Sequence, residues 1–464
     1  MKKHSPTDSG ALPRRDLLKL GVAGLGLSAT GTVPGLATGD ASPYQERPDL
    51  GPAPATPFAA PPMDVVRVGF VGVGGMGGAH VRNFLGIEGV EIVALCDINE
   101  ARNLEVASWV TGDGRRRPTL YGRNDTDFVR MCETEDLDLV FTATPWEWHV
   151  PVLVAAMENG KHAATEVPAA YRTEDCWKMV EYAEKYQKHC MMMENCNYDR
   201  PEMMVFHMAR LGHFGEILHA ECGYLHDLRS IKFSETGEGL WRRAHSMVRD
   251  GNLYPTHGLG PVANVMDINR GDRFDYLVSM SSPSRGLQEW AQAQYPEGHP
   301  KRQERYMLGD VNTTMIKTVQ GRTIYLGHDT NLPRPYSRIH MVQGTKGIFQ
   351  GYPNRVYVEG RSPSHQWQDW MELREEFDHP LWKDLETLSA GAGHGGMDFI
   401  EDYRLVKCLR EGKPTDMNVY DAAALSVITP LSEWSVANRS RPIDVPDFTR
   451  GRWAQWPKLG ILRA

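Results

Sequence analysis

Residues 65–78 read VVRVGFVGVGGMGG, an apolar, β-branched run that breaks at Gly72 into Gly72-Val73-Gly74-Gly75-Met76-Gly77. A second apolar run, EIVALCD, ends on Asp97, 25 residues beyond Gly72. Strand, glycine turn, helix, strand and acid in this order make a dinucleotide-binding unit. Gly72 makes the tight turn, Gly74 admits a pyrophosphate close to the backbone, and Gly77 lets the helix pack against the strand. The helix start then turns its unpaired N–H groups toward the phosphates. Asp97 is placed to accept hydrogen bonds from the adenosine ribose, and its charge disfavours a 2′-phosphate, so NAD is expected over NADP.

At 464 residues, 41% hydrophobic and 24% charged, the chain has room for two or three domains with ordinary soluble cores. After residue 41 no run of about 18 apolar residues occurs, so no membrane span is expected there. Residues 1–41 read differently. Arg14-Arg15-Asp16-Leu17-Leu18-Lys19 precedes the Gly- and Ala-rich run LGVAGLGLSATGTVPGLA, with small residues at Gly35-Leu36-Ala37 and Gly39-Asp40-Ala41, the pattern of a twin-arginine export leader. That route carries folded proteins, so a dinucleotide can travel already bound, and a periplasmic or extracellular location is expected. A net charge of −8 gives no reason to expect nucleic-acid binding. The seven cysteines form no CxxC pair, and no zinc or calcium spacing occurs, so neither a disulfide framework nor a metal is expected.

Residues 42–62, SPYQERPDLGPAPATPFAAPP, are proline-rich and read as a linker or an extended arm. From residue 63 strands alternate with helices. The patterns predict a helix over 99–110, a buried strand in LDLVFTAT (137–144), a helix over 150–160, a strand in KHAATEV (161–167), a helix over 172–187 and a strand in HCMMMEN (189–195). This is the signature of an α/β fold: a Rossmann domain over 63–195 with a doubly wound parallel sheet. Residues 196–464 read as an α+β domain on a mostly antiparallel sheet, whose open face would cover the nicotinamide. Gly344-Thr345-Lys346-Gly347 is a turn between two of its strands, and helices within 397–413 and 419–438 would pack back on the core. An exposed sheet face in this half would support a homodimer.

Three stretches leave the carboxyl edge of the parallel sheet, where open α/β sheets bind ligands. Thr144-Pro145-Trp146-Glu147-Trp148-His149 offers indoles and an imidazole to wall a pocket, or else packing residues in a loop. Glu166-Val167-Pro168 places Glu166 at the same edge, as a cofactor ligand or a helix-start acid. Asn195 ends the last strand there and could offer an amide to the nicotinamide side.

With the glycine turn and Asp97, these stretches resemble the glucose-fructose oxidoreductase and inositol dehydrogenase superfamily over most of residues 64–435. Dehydrogenases of that superfamily typically carry lysine inside Glu-Lys-Pro; Val167 stands at that place and cannot exchange a proton. The leader, the WEWH and EVPAA stretches, GNLYPTHGLGPV at 251–262 and GHGGMDF at 393–399 more closely resemble glycoside hydrolase family 109, which is NAD-dependent and includes α-N-acetylgalactosaminidases. The resemblance implies NAD contacts at Gly75, Met76, Asp97, Trp146, Glu147, Trp148, His149, Glu166, Val167 and Asn195. It implies substrate contacts at Tyr224, Arg242, Tyr254, Pro255, Thr256, His257 and Tyr336.

Most glycosidases use two carboxylates, but an NAD site permits another route. If NAD⁺ takes hydride from the sugar C3, the resulting ketone acidifies the C2 proton, a base removes it, and the C1 group leaves by elimination; water adds at C1 and the ketone is reduced again. His257 is the expected base and acid, with Tyr254 or Tyr224 as proton partner, since both residue types exchange protons. On a helical turn Tyr254 and His257 would share a face. Arg242, beside Trp241, could donate to sugar hydroxyls or an acetamide carbonyl, with Arg243 as competitor; by residue type alone the two make a solvated basic pair. The expected activity is hydrolysis of terminal α-linked N-acetylgalactosamine, with a nicotinamide-exchanging sugar dehydrogenase as the alternative.

Overall fold

The computed structural model describes residues 48–464. The expected leader, residues 1–41, and the first part of the proline-rich segment lie outside the described residues. Six strands, β1 (Val66–Val71), β2 (Val90–Cys96), β3 (Thr119–Tyr121), β4 (Leu139–Thr142), β5 (His162–Thr165) and β6 (Cys190–Met192), form a parallel sheet in the order β3-β2-β1-β4-β5-β6. Their burial is nearly continuous, as it must be for a sheet covered on both faces.

Three details depart from the sequence reading. The helix expected from residue 150 begins a turn earlier, at Trp146–Glu158. Pro151 therefore stands inside the helix, and Trp146 and His149 ahead of it are fixed by tertiary contacts. The strand expected over 189–195 closes at Met192; Glu194 then caps a 3-10 turn, Asn195–Tyr198, by accepting from the Cys196 N–H at 3.2 Å. β3 and the helix Asp127–Thr134 went unread, being too short to show a period.

The second sheet has nine strands, β7 (Ile217–Leu225), β8 (Phe274–Ser281), β9 (Asn312–Thr318), β10 (Thr323–Asp329), β11 (Met341–Gly344), β12 (Gly347–Gln350), β13 (Arg355–Val358), β14 (Gln368–Asp369) and β15 (Ile443–Asp444). They run in the order β14-β13-β12-β11-β7-β10-β9-β8-β15. The ladder is antiparallel except where β10 lies parallel to β7, with His328 opposite Tyr224. One face is covered by the helices Thr256–Val265 and Ile428–Ala437. The other leaves Tyr276, Met280 and Met315 exposed.

The helix Met397–Glu411 returns to the first sheet and packs on the helix Gly75–Leu85. Phe399, Leu405, Val406 and Leu409 join the core around β1. Residues 48–62 are docked along the surface: Ala60 N–H donates to His189 Nε2 at 3.2 Å, Arg450 and Arg452 reach the carbonyls of Gly51 and Ala53 at 2.8 and 3.1 Å, and both alanines are buried.

Candidate active site

Gly72 turns with φ +77°, a conformation that favours glycine. A Cβ on Gly77 would lie 1.9 Å from the Gly72 carbonyl oxygen, so the helix–strand approach requires its absence. At Gly74 and Gly75 the opposite holds: both are exposed, and an added Cβ meets nothing within 4 Å. No side chain caps the helix that starts at Gly75. Its first N–H groups and the open backbone at Gly74 and Gly75 fit a pyrophosphate. Asp97 accepts from Val73 N–H at 2.9 Å and from Asn99 N–H at 2.8 Å, one bond per carboxylate oxygen, and retains acceptor capacity for a ribose. Arg102, which the sequence reading missed, holds the turn from outside, donating to the carbonyls of Val73 (2.6 Å) and Gly74 (2.8 Å).

At the carboxyl edge of the sheet, the first turn of the Trp146 helix meets residues of the second half. Trp146 stacks on Tyr254 with ring centroids 5.9 Å apart. Tyr254 meets Tyr224 at 4.6 Å and His257 at 4.8 Å, and Tyr224 meets His257 at 5.3 Å. The Arg242 guanidinium lies 4.9–5.2 Å from the rings of Trp146, Trp241 and Tyr254, buried and paired with Glu238 at 2.8 Å. Arg243 turns away to Glu304 and the Lys232 carbonyl, so the solvated basic pair is not what forms. The Tyr224 hydroxyl bonds to His226 Nδ1 at 3.0 Å, and His226 packs on Tyr336. Tyr336 accepts from Arg338, which is itself held by Asp199 and Glu202. Burial raises the phenol pKa of Tyr224, Tyr254 and Tyr336, so all three stay protonated at neutral pH.

His257 gains its place through two glycines of its own helix. A Cβ on Gly258 would meet the Gly223 backbone of β7 at 2.4 Å, and one on Gly260 would meet Glu194 Cγ at 2.8 Å. The helix therefore presses onto both, and His257 Nδ1 lies 2.7 Å from Glu194 Oε1. Thr256 is fully buried on the same turn. Glu194, Cys196 and His257 bring ligand-type atoms within 4.8 Å of one another. The 2.7 Å contact is shorter than the roughly 3.3 Å between two ligands of a tetrahedral zinc, so this is a hydrogen-bonded set.

A second histidine is tied through Asp398 to Asn195, the residue after Glu194. His394 Nδ1 is 2.7 Å from Asp398 Oδ2, and the other oxygen of Asp398 accepts from the Asn195 amide at 2.7 Å. Asp398 is buried while the His394 side chain is 53% exposed. The hydrogen bond to Asp398 raises the His394 pKa; burial opposes it, Glu166 adds to it and Arg338 subtracts from it. A third histidine, His80, is buried between Glu166 (2.7 Å) and Asp402 (2.9 Å). Burial works against its proton, but Asp402 and Glu166 outweigh burial and leave its pKa well above the usual histidine value.

Two family models match the chain: "Oxidoreductase family, NAD-binding Rossmann fold" over residues 66–194 and "Glycosyl hydrolase 109, C-terminal domain" over 198–455. A glycosyl hydrolase family 109 protein of Shewanella sp. (strain W3-18-1) is 47% identical over 451 residues, 94% of this chain and 98% of the relative. Another from Shewanella pealeana is 46% identical over 457 residues, 97% and 99% of the two chains.

The chain belongs to glycosyl hydrolase family 109.

Its fold is similar to that of a levoglucosan dehydrogenase solved with NADH and L-sorbose (TM-score 0.63, 20% identity, 83% of this chain and all of that one). A scyllo-inositol dehydrogenase of Lactobacillus casei is also similar (TM-score 0.58, 12% identity, 82% and 99%). Residues 66–194 of this family 109 chain form an NAD-binding Rossmann domain. Of the residues expected to contact NAD, Gly75, Met76 and Asp97 line the glycine turn, and Glu166 reaches the sheet edge with Val167 buried beside it. His149 is buried with both ring nitrogens on backbone carbonyls, of Pro168 (2.8 Å) and Thr144 (2.9 Å), so it ties together the loops leaving β4 and β5. Trp148 packs on Phe128, and Glu147 is exposed on the same turn. Glu194, Asp398, His394, His80 and Asp402 were missed. Only GHGGMDF among them carried a sequence signal, and that signal named no role.

Proposed function

We propose that this family 109 enzyme hydrolyses terminal α-linked N-acetylgalactosamine with no net redox change. When bound, NAD supplies a reversible hydride acceptor at the sugar C3, which acidifies the C2 proton. Gly72, Gly74, Gly75, Met76, Gly77 and Asp97 would hold its adenosine and pyrophosphate end, and Glu166 and Asn195, on the loops that follow β5 and β6, would contact its nicotinamide end. His257 removes the C2 proton and returns it after water has added. Tyr224 and Tyr254, kept protonated by burial, donate hydrogen bonds to sugar oxygens. Arg242 and Tyr336 bind the ring substituents, the guanidinium suiting an acetamide carbonyl. His394, partly exposed and backed by Asp398, protonates the departing oxygen and recovers a proton from the incoming water.

The observation that carries this reading is the pair of carboxylate-backed histidines mounted on adjacent residues, Glu194 and Asn195, in a chain with valine at position 167. The test is p-nitrophenyl α-N-acetylgalactosaminide with the purified enzyme in D₂O. Release of p-nitrophenol, no accumulation of NADH absorbance and deuterium at C2 of the sugar are expected. Accumulating NADH would identify a dehydrogenase instead, and His257→Ala should abolish exchange at C2.

Two further readings accompany this one. Arg14-Arg15 and the run that follows support twin-arginine export; replacing both arginines by lysine should retain the protein in the cytoplasm, and unchanged export would exclude that route. Tyr276, Met280 and Met315 on the open sheet face support a homodimer. Met280→Asp should then shift the sedimentation coefficient to that of a monomer, whereas a monomeric wild type refutes it.

A further inference from the structure

Glu194 is completely buried, yet it has no arginine or lysine partner among the described residues. One carboxylate oxygen is spent on His257 Nδ1 at 2.7 Å and on the Cys196 N–H at 3.2 Å. The other is buried without a hydrogen bond that meets ordinary geometry. Such a carboxylate is costly to keep unless something holds its charge. The side chain is pinned from three directions: by the 3-10 turn it caps, by Gly260 of the facing helix, and by His257. Burial pushes its pKa up, but His257, the Thr256 hydroxyl and the Cys196 N–H together outweigh burial and leave it below the ordinary glutamate value, so the group is a carboxylate at neutral pH.

An ionised carboxylate only accepts hydrogen bonds. Nδ1 of His257 must therefore carry the proton between them, and Nε2 is left as the ring nitrogen with a free lone pair. Resting on the reading of His257 as the base at C2, we infer that Glu194 is its positioning residue, selecting the Nδ1–H tautomer and aiming Nε2 at the sugar. In the step it serves, the C2–H bond breaks and its proton passes to Nε2. Its electron pair becomes the C1–C2 double bond as the C1–O bond breaks, and the departing oxygen takes a proton from His394. Glu194 stays ionised throughout and stabilises the imidazolium that forms. Water then adds at C1, giving one proton back to His394, while Nε2 returns its own to C2.

Glu194→Gln keeps the size of the side chain but lets an amide N–H point at Nδ1, which places the ring proton on Nε2 and removes the base. With p-nitrophenyl α-N-acetylgalactosaminide and the NAD-loaded enzyme, kcat should fall roughly 10²–10⁴-fold with KM within a factor of about three. Deuterium exchange at C2 should slow by the same factor, and the isotope effect from C2-deuterated substrate should grow. Glu194→Asp, which restores a carboxylate, should recover part of the exchange rate. Exchange within threefold of wild type in a folded, NAD-containing Glu194→Gln enzyme would overturn the inference, as would a loss confined to KM. Absence of C2 exchange in the wild type would instead sink the underlying reading of the reaction.

Discussion

His394 lies at φ 47°, followed by Gly395 and Gly396, also left-handed, and its ring is held in that unusual backbone by Asp398 four residues on. Asparagine is one of the few residues at ease there, so His394→Asn should fold normally. If the imidazole protonates the departing oxygen, methyl α-N-acetylgalactosaminide, whose leaving group is strongly basic, should lose roughly 10²–10⁴-fold in kcat. The p-nitrophenyl glycoside, which needs little protonation, should lose far less. Equal losses on both substrates would remove His394 from that role. At this scale the sequence exposed the residues with distinctive chemistry in a recognisable stretch, His257, Tyr254 and Asp97. It hid their partners: Glu194 is 63 positions from His257, Asn195 is 203 from Asp398, and His80 is 322 from Asp402. A carboxylate that acts through a distant histidine has no local pattern to announce it.

The helix start at Gly75, proposed to hold the pyrophosphate, allows a clean test. Gly75 begins the helix and a methyl there meets no protein atom within 4 Å, so Gly75→Ala should leave the unfolding free energy of the NAD-free protein unchanged or raise it by up to about 1 kcal/mol, read by urea denaturation. The same methyl occupies the space a pyrophosphate needs, and NAD affinity by calorimetry should weaken by about 1–3 kcal/mol. Undiminished affinity would place the dinucleotide elsewhere. The long periodic elements were readable from the chain because burial on two faces demands an apolar run. The helix beginning at Trp146 was readable only in part, since its true start is decided by contacts with Tyr254 and the Pro168 carbonyl. Gly258 and Gly260 were quoted as part of a motif. That they let one helix close on both β7 and Glu194 is a property of the packed elements.

Over the whole molecule, acid stability should be set by histidines. His189, His245, His328, His340 and His379 are pushed down to about 3, and His162 to about 4, with burial the largest cause in each. Each stays neutral in the fold but takes a proton on unfolding below its ordinary pKa of about 6.5. Their contribution is therefore complete above about pH 6.5 and is lost as pH falls toward 3–4. His80 works the other way: its raised pKa stabilises fully below about 6.5, and the contribution fades as pH climbs through the folded value. Six strongly lowered histidines against two raised ones, His80 and His394, predict that the urea midpoint drops between about pH 6.5 and 5, with net uptake of protons on unfolding. Uptake near zero in that window would contradict the burial of these rings.

Local order decided the N-terminal half in advance. Apolar runs, a glycine turn and an acid at the right interval are short-range facts, and they sufficed for a parallel sheet that binds NAD. The arrangement proposed to be catalytic is not short-range. It exists because the helix Met397–Glu411 comes back across the first sheet carrying Asp398 and Asp402, and because the helix after Tyr254 is pressed onto the end of β6. Paired charges and histidines become a proton-handling site only when burial brings them within about 3 Å and excludes the water that would otherwise separate them.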